Sequence, residues 1–321
     1  MSEARDVLLL GATGTAGRAT AAALAGAGHR LTALLRPGRD GAGLPPGTAF
    51  VHAEATDAGA LAEAVRLAKP QAIVSCLASR TGAPADAWAI DHAAHSTALA
   101  AAKTAGAAQF VLLSALCVQK PRLAFQHAKL SFETDLMASG LTWSIVRPTA
   151  FFKSLSGQVE RVRRGKPFLV FGDGRLTACK PISDADLGAF TAECLTEPAR
   201  HDRILPIGGP GPALTPADQA AMLSDLLGRE VPLRRVPVAL LGAIAGTLAF
   251  AGKLSPKLAA KADLARIGRY YATESMLVVN PETGAYDADA TPETGTETLR
   301  DHYEKLLSGD AEADLGEHAF F

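Results

Sequence analysis

Apolar residues in the first half of the chain fall into short unbroken runs separated by stretches where they recur at helical spacing. Val7-Leu8-Leu9-Leu10 has no polar residue on either face, the pattern of a strand buried on both sides. Further strands are predicted at Leu31 to Leu35, Phe50 to Ala53, Ala72 to Cys76, Phe110 to Leu113 and Thr142 to Val146. Helical stretches separate them: Arg18 to Gly28, stopped by Gly26 and Gly28, then Ala58 to Ala68, Trp88 to Ala105 and Phe125 to Ser139. Strand–helix alternation of this kind predicts βαβ units and an α/β fold with a doubly wound parallel sheet. After Arg147-Pro148 the rhythm is lost and prolines and glycines become frequent. The chain therefore divides into a sheet domain over residues 1–150 and a smaller C-terminal lobe over 151–321, interleaved with the last strands of the sheet. Within that lobe Thr215-Pro216-Ala217-Asp218 reads as a helix start, with Thr at the cap and Pro at the first helical position.

Val236 to Gly252 carries no charge over 17 residues. A membrane span needs about 20 apolar residues, and this stretch is interrupted by Pro237, Gly242 and Gly246. It reads first as a buried or pocket-covering helix and second as a loose contact with a membrane surface. Composition narrows the function classes. Lys plus Arg is 32 and Asp plus Glu 33, a net charge of −1, so the basic excess of a nucleic-acid binder is missing. Cys76, Cys117, Cys179 and Cys194 are too far apart in sequence for a metal knuckle or redox pair, and no metal site is expected. With no signal or transit pattern ahead of the first strand, the expectation is a cytoplasmic protein with reduced thiols. Oligomeric state is not legible.

Gly11-Ala12-Thr13-Gly14-Thr15-Ala16-Gly17 is G-x-x-G-x-x-G, placed directly after the first strand and opening the first helix. In that context glycines bring backbone close to a pyrophosphate, and the helix N-terminus offers it N–H groups and partial positive charge. The fold is thus expected to be Rossmann-type, with Gly11, Thr13, Gly14 and Gly17 holding a dinucleotide. The second strand ends in Leu35-Arg36-Pro37-Gly38-Arg39, with no carboxylate before Asp40. A carboxylate there would bind the ribose 2′-hydroxyl, whereas Arg36 suits a 2′-phosphate, so the expected cofactor is NADPH. Asp57, after the third strand, reads as an acceptor for the adenine amino group, as a helix N-cap, or as both. Leu77 and Ala78, after the fourth strand, are expected beside the cofactor's sugars, and Pro148 at the end of the sixth.

The catalytic region resembles the short-chain dehydrogenases, which place a Ser after the fifth strand and a Tyr-x-x-x-Lys on the next helix. Here Ser114 follows Phe110 to Leu113, and the helix reads Phe125-Gln126-His127-Ala128-Lys129: the lysine is present and the tyrosine is phenylalanine. Phe125, Lys129 and Glu133 share one helical face. Phenylalanine donates no proton, which points to the atypical, NmrA-like branch. Longer strings are more specific. Val74 to Arg80, Leu113 to Pro121, Val146 to Ser154, Phe171 to Gly174, Cys179 to Ser183, Leu205 to Gly211 and Ile267 to Ala272 resemble the NADPH-dependent 3,8-divinyl (proto)chlorophyllide 8-vinyl reductases. The likeness runs on to Leu315-Gly316-Glu317.

That resemblance implies an NADPH-dependent oxidoreductase of chlorophyll or bacteriochlorophyll biosynthesis, reducing the C8 vinyl group of a tetrapyrrole to ethyl. It further implies that Lys129 holds the nicotinamide ribose and supplies charge, and that Ser114 bonds the nicotinamide amide, ribose or a water. Phe125, Phe151 and Phe152 would stack on the macrocycle and Lys153 would meet a propionate. Tyr270 and Tyr271 are alternative proton donors, and His127, on another helix face, is not catalytic. Localisation is expected to be cytoplasmic, at most peripheral at the photosynthetic membrane. Two other readings remain open: an NADP- and pigment-binding assembly or redox-sensing protein without catalysis, and reduction of a different conjugated double bond. Retention of Lys129 and the long strings favour the vinyl reductase.

Overall fold

The computed structural model describes residues 3–252 and 255–310. The terminal string Leu315-Gly316-Glu317 and Lys253 lie outside the described residues. The backbone separates into two units, one built from residues 1–148 and 184–206, the other from 149–183 and 207–321.

The first unit follows the apolar runs closely. Strand β1 (Asp6–Leu10) leads into α1 (Thr15–Gly26), β2 (Arg30–Leu35), β3 (Ala49–His52), α2 (Ala58–Ala68) and β4 (Ala72–Ser75). Helix α3 (Pro84–Ala87) then runs through a π-helical stretch, Trp88–Ala94, into α4 (His95–Thr104). Strand β5 (Gln109–Leu113), α5 (Ala124–Met137) and β6 (Thr142–Pro148) complete the first pass. The chain leaves for the second unit through α6 (Phe152–Leu155), α7 (Val159–Arg163) and β7 (Phe168–Phe171). It returns with α8 (Asp184–Glu193) and β8 (Arg203–Ile207). The sheet order is β3-β2-β1-β4-β5-β6-β8, and β1 pairs in parallel with both β2 and β4. The order reverses at β1, so the crevice at a switch point lies above the ends of β1 and β4, where such sheets bind ligands.

Two sequence expectations are corrected here. Helix α1 begins at Thr15, three residues earlier than the pattern of apolar positions suggested, because the glycine turn itself passes straight into the first helical turn. The helix expected over Trp88 to Ala105 is present but starts earlier, at Pro84, and its Trp88–Ala94 stretch is π-helical. Helix α8, within the segment 184–206, carried no clear signal of its own. It fits because Gly188 lies flat against α1: a Cβ there would stand 2.5 Å from the backbone carbon of Ala19. The core between sheet and helices is aliphatic and aromatic, with Leu8, Leu10, Leu61, Ile73, Phe110, Phe132 and Ile145 all buried.

In the second unit α9 (Pro216–Leu227) starts as expected. Thr215 Oγ1 accepts from the Asp218 amide at 3.2 Å, and the Asp218 carboxylate answers to the Thr215 amide at 2.9 Å. Strand β9 (Leu233–Val236) pairs with β7. The uncharged stretch forms α10 (Val238–Gly252), packed along α11 (Pro256–Thr273). The hairpin β10 (Val278–Val279) and β11 (Tyr286–Asp287) and helix α12 (Leu299–Ser308) follow. Its core gathers Phe152, Val162, Val170, Leu223 and Tyr303.

Candidate active site

The glycine loop shows a separate reason for each glycine. Gly11 leaves β1 at φ +74°, a left-handed conformation that other residues rarely adopt, and a Cβ would stand 2.7 Å from the backbone of Cys76 and Leu77. At Gly17 a Cβ would come within 2.1 Å of the Gly11 carbonyl oxygen. Gly14 differs: its φ is −72°, and a Cβ would meet only the Gly11 oxygen, at 3.5 Å. Nothing in the protein demands glycine there, so the open space above it is a cradle that a side chain would fill. Gly14 caps α1 without a side-chain hydrogen bond, and the first turn holds no acidic residue. The positive end of the helix is left for a ligand, which fits a pyrophosphate. Thr13 is exposed on the same turn.

Arg36 stands just beyond β2, exposed, with no ion pair among the described residues. Sequence reasoning missed a second such cation. Arg18, one turn into α1, is exposed and places its guanidinium beside the glycine-rich loop after β2, where a Cβ on Gly43 would be 3.6 Å from it. Two unpaired cations at this end of the loop suit a 2′-phosphate better than a bare hydroxyl. Asp57 is the N-cap of α2, its Oδ1 accepting from the Ala60 amide at 3.0 Å. Its exposed side chain retains further acceptor capacity.

The segment after β4 ties this loop to the catalytic region. Ser75 Oγ meets His95 Nε2 at 2.8 Å and accepts from the Leu77 amide at 3.3 Å. Leu77 is half-buried and Ala78 exposed. The Ser79 amide donates to Asp91 Oδ1 at 3.2 Å. The same oxygen lies 3.0 Å from Lys129 Nζ, and both side chains are buried. Asp91 sits in the π-helical stretch and Lys129 on α5. Burial, seconded by the Lys129 charge, pushes His95 down to about 4, so the imidazole is neutral at physiological pH. Cys76, next to Gly11, is a structural thiol, since burial pushes it up to about 11.

Phe125, Lys129 and Glu133 are all buried on one face of α5, as their spacing predicts. Gln126 fixes where that helix begins: its Oε1 accepts from the Arg122 and Leu123 amides at 2.7 and 2.9 Å, and its Nε2 donates to the Cys117 carbonyl. Ser114, buried at the end of β5, donates its hydroxyl proton to Glu133 Oε1 at 2.5 Å. Arg147 on β6 grips both Glu133 oxygens. The Ser114 proton is therefore engaged by a paired carboxylate, and the hydroxyl is left to accept. Pro148 ends β6, buried.

The remaining candidates belong to the second unit. Phe152 is corrected from a stacking surface to a core residue: it is buried in that unit's cluster, with its ring 5.3 Å from the His302 ring. Phe151 and Lys153 are half-buried around it, and Phe151 bridges to Ile182. Tyr270 is buried and Tyr271 exposed, their rings edge to face at 5.6 Å. His127 is exposed, away from the buried face of α5. The string Cys179 to Ser183 has a structural explanation that sequence alone did not supply. Lys180 is buried, with Nζ 2.5 Å from Glu293 Oε1, and a Cβ at Gly209 would collide with the Pro181 carbonyl. Among the described residues no cluster of side chains suited to a metal is present.

Residues 11–198 match a family of NAD(P)H-binding proteins. The chain is 48% identical to the chloroplastic divinyl chlorophyllide a 8-vinyl-reductase of Oryza sativa subsp. indica, over 98% of this chain and 82% of that protein. It is 53% identical to the protein of the same description from Cucumis sativus, over 78% of this chain and 61% of that one. Among solved structures, an NADPH-dependent quinone oxidoreductase from Escherichia coli in complex with NADPH superposes with a TM-score of 0.69 at 20% identity. The superposition covers 94% of this chain and 99% of the other, and the two share the fold.

Proposed function

Because the chain belongs to the NAD(P)H-binding family and, within it, to the divinyl chlorophyllide a 8-vinyl-reductases, we propose that it reduces the C8 vinyl group of a divinyl chlorophyll precursor to ethyl, with NADPH as reductant. The observation that carries the reading is the cradle at Gly14 beside an uncapped helix end, joined through the segment after β4 to the buried Lys129.

The nicotinamide, when bound, supplies a hydride for the terminal carbon of the conjugated vinyl group. Gly11, Gly14 and Gly17 give the pyrophosphate its backbone seat, and Arg36 with Arg18 takes the 2′-phosphate. Lys129 holds the ribose hydroxyls. Ser114, its proton held by Glu133, accepts a hydrogen bond from the carboxamide or ribose. Negative charge left by the hydride is spread over the macrocycle, so no strong acid is needed beside the reacting carbon. That is why phenylalanine at position 125 is tolerated. Water supplies the proton for the inner carbon. Phe125 is the first unit's candidate contact for the flat ring.

Helix α10 extends the reading to location. It is uncharged, and Leu240, Ile244 and Phe250 are exposed on it. No helix among the described residues is long and apolar enough to cross a membrane, so the contact proposed is peripheral.

The test is direct. The protein with NADPH and 3,8-divinyl chlorophyllide should yield a pigment heavier by two hydrogens, separable by chromatography, with NADPH consumed in equal amount. With deuterated NADPH the label should sit on the methyl carbon of the new ethyl group. NADPH binding without pigment turnover would instead support a carrier or sensor. Lys129→Ala should reduce turnover by about 10² or more, the scale of losing one preorganised charged donor.

A further inference from the structure

Asp91 has no part in the mechanism above, yet it is the carboxylate paired with Lys129. It is fully buried, on the π-helical stretch, with Oδ1 3.0 Å from Lys129 Nζ and accepting from the Ser79 amide at 3.2 Å. Its other oxygen, Oδ2, is buried without a hydrogen-bond partner among the described residues. As a device for stability this is poor. Buried ion pairs return little net stability after desolvation, and an unsatisfied buried oxygen is a further cost. Wide π turns of this kind occur preferentially at functional sites. Here the turn carries a carboxylate to a lysine that the helix α5 alone would leave pointing from a buried face with no counter-charge.

The two contacts on Oδ1 also belong to different parts of the site. Ser79 ends the segment whose other end, at Cys76 and Leu77, lies against Gly11. Lys129 belongs to α5. One carboxylate oxygen therefore sets the distance between the loop that seats the pyrophosphate and the ammonium group that meets the ribose.

We propose that Asp91 is a positioning residue of the reductase: through Lys129 it fixes the ammonium group relative to the cofactor-binding loop, and so governs turnover rather than cofactor affinity. The proposal rests on the cofactor and lysine roles assigned above. Asp91 touches neither pigment nor nicotinamide, so its effect must vanish when the lysine is absent.

That condition supplies the experiment, a double-mutant cycle on the full chain with Asp91→Asn, Lys129→Met and both together. Three readouts apply: pigment turnover, the NADPH dissociation constant from fluorescence, and the melting temperature. D91N should lower kcat at least tenfold while changing the NADPH dissociation constant less than threefold. In the K129M background D91N should cost no further turnover. K129M leaves Asp91 buried without its partner and should melt below wild type, and D91N/K129M should melt above K129M. That last comparison decides the coupling even if D91N alone is too unstable to assay. Wild-type turnover in D91N, an added loss on top of K129M, or a double variant less stable than K129M would each overturn the proposal. Failure of the wild-type chain itself to bind NADPH or reduce pigment would be a failure of the assigned function instead.

Discussion

Arg36 is the side chain on which the proposed preference for NADPH turns. It is exposed, has no ion pair among the described residues, and stands where a carboxylate would select the other cofactor. Arg36→Ala should raise the apparent constant for NADPH about tenfold or more, the scale of a lost charge-assisted contact, and leave NADH nearly unchanged. Equal loss with both cofactors would mean that Arg36 does not face the 2′-phosphate. His95 makes a prediction of another kind. Its value is lowered from 6.5 to about 4, chiefly by burial. As pH falls, the unfolded chain takes up the proton first, so the stability is complete above about pH 6.5 and is lost progressively towards pH 4. His29 and His302 are lowered in the same direction by burial, so the wild type alone does not isolate the effect. His95→Asn should show a shallower fall in melting temperature between about pH 7 and pH 5 than wild type. An unchanged slope would show that His95 is not neutral in the folded protein.

Elements are held here as much by close backbone approach as by apolar burial. Helices α1 and α8 meet where Gly188 lies on Ala19, with no room for a Cβ. Gly188→Val should therefore destabilise by about 1–3 kcal/mol, the range for overpacking a filled contact, readable as a lower midpoint in urea. Stability equal to wild type would show that the helices can part without cost. Helix α5 owes its start to Gln126 and its function to one buried face, since Phe125, Lys129 and Glu133 recur every fourth residue. The π-helical stretch ahead of α4, which carries Asp91, is the element the apolar pattern hid. Its residues, Trp88-Ala89-Ile90-Asp91-His92-Ala93-Ala94, read equally well as ordinary helix.

For the molecule as a whole, the contrast is between a charged, well-capped surface and one uncharged helix. Arg234 and Arg235, before α10, and Lys261 and Arg266, along α11, are exposed cations near an exposed apolar face. That combination favours an anionic membrane surface, with each basic residue adding about 1 kcal/mol close to it. The wild-type chain should co-float with anionic vesicles at low salt and be released by high salt or mild detergent. A Leu240→Ser/Phe250→Ser variant should float less while retaining pigment turnover in detergent solution. Recovery only in a carbonate-resistant pellet, or no vesicle binding at all, would rule out a loose peripheral contact.

What the sequence by itself determined is the part of the protein written in local periodicity and local chemistry. Six mainly apolar runs marked β1 to β6, and all but β3, exposed at Ala49, Phe50 and His52, are largely buried. The glycine spacing led to the expectation of a nicotinamide dinucleotide site, which the match to the NAD(P)H-binding family bears out. The four-residue spacing placed Phe125, Lys129 and Glu133 on one face. The long strings fixed the family before any coordinate was known. Tertiary structure decided whatever depends on residues far apart in the chain. Asp91 reaches Lys129 across 38 positions, and Ser114 is engaged by Glu133, which Arg147 grips from a third element. Neither pairing leaves a periodic trace, because each is made by the folding of the sheet rather than by a neighbouring turn. Phe152, which looked available for stacking, was claimed by the core of its own unit. An aromatic side chain has the same composition in either place, and only packing tells which of its faces remains open.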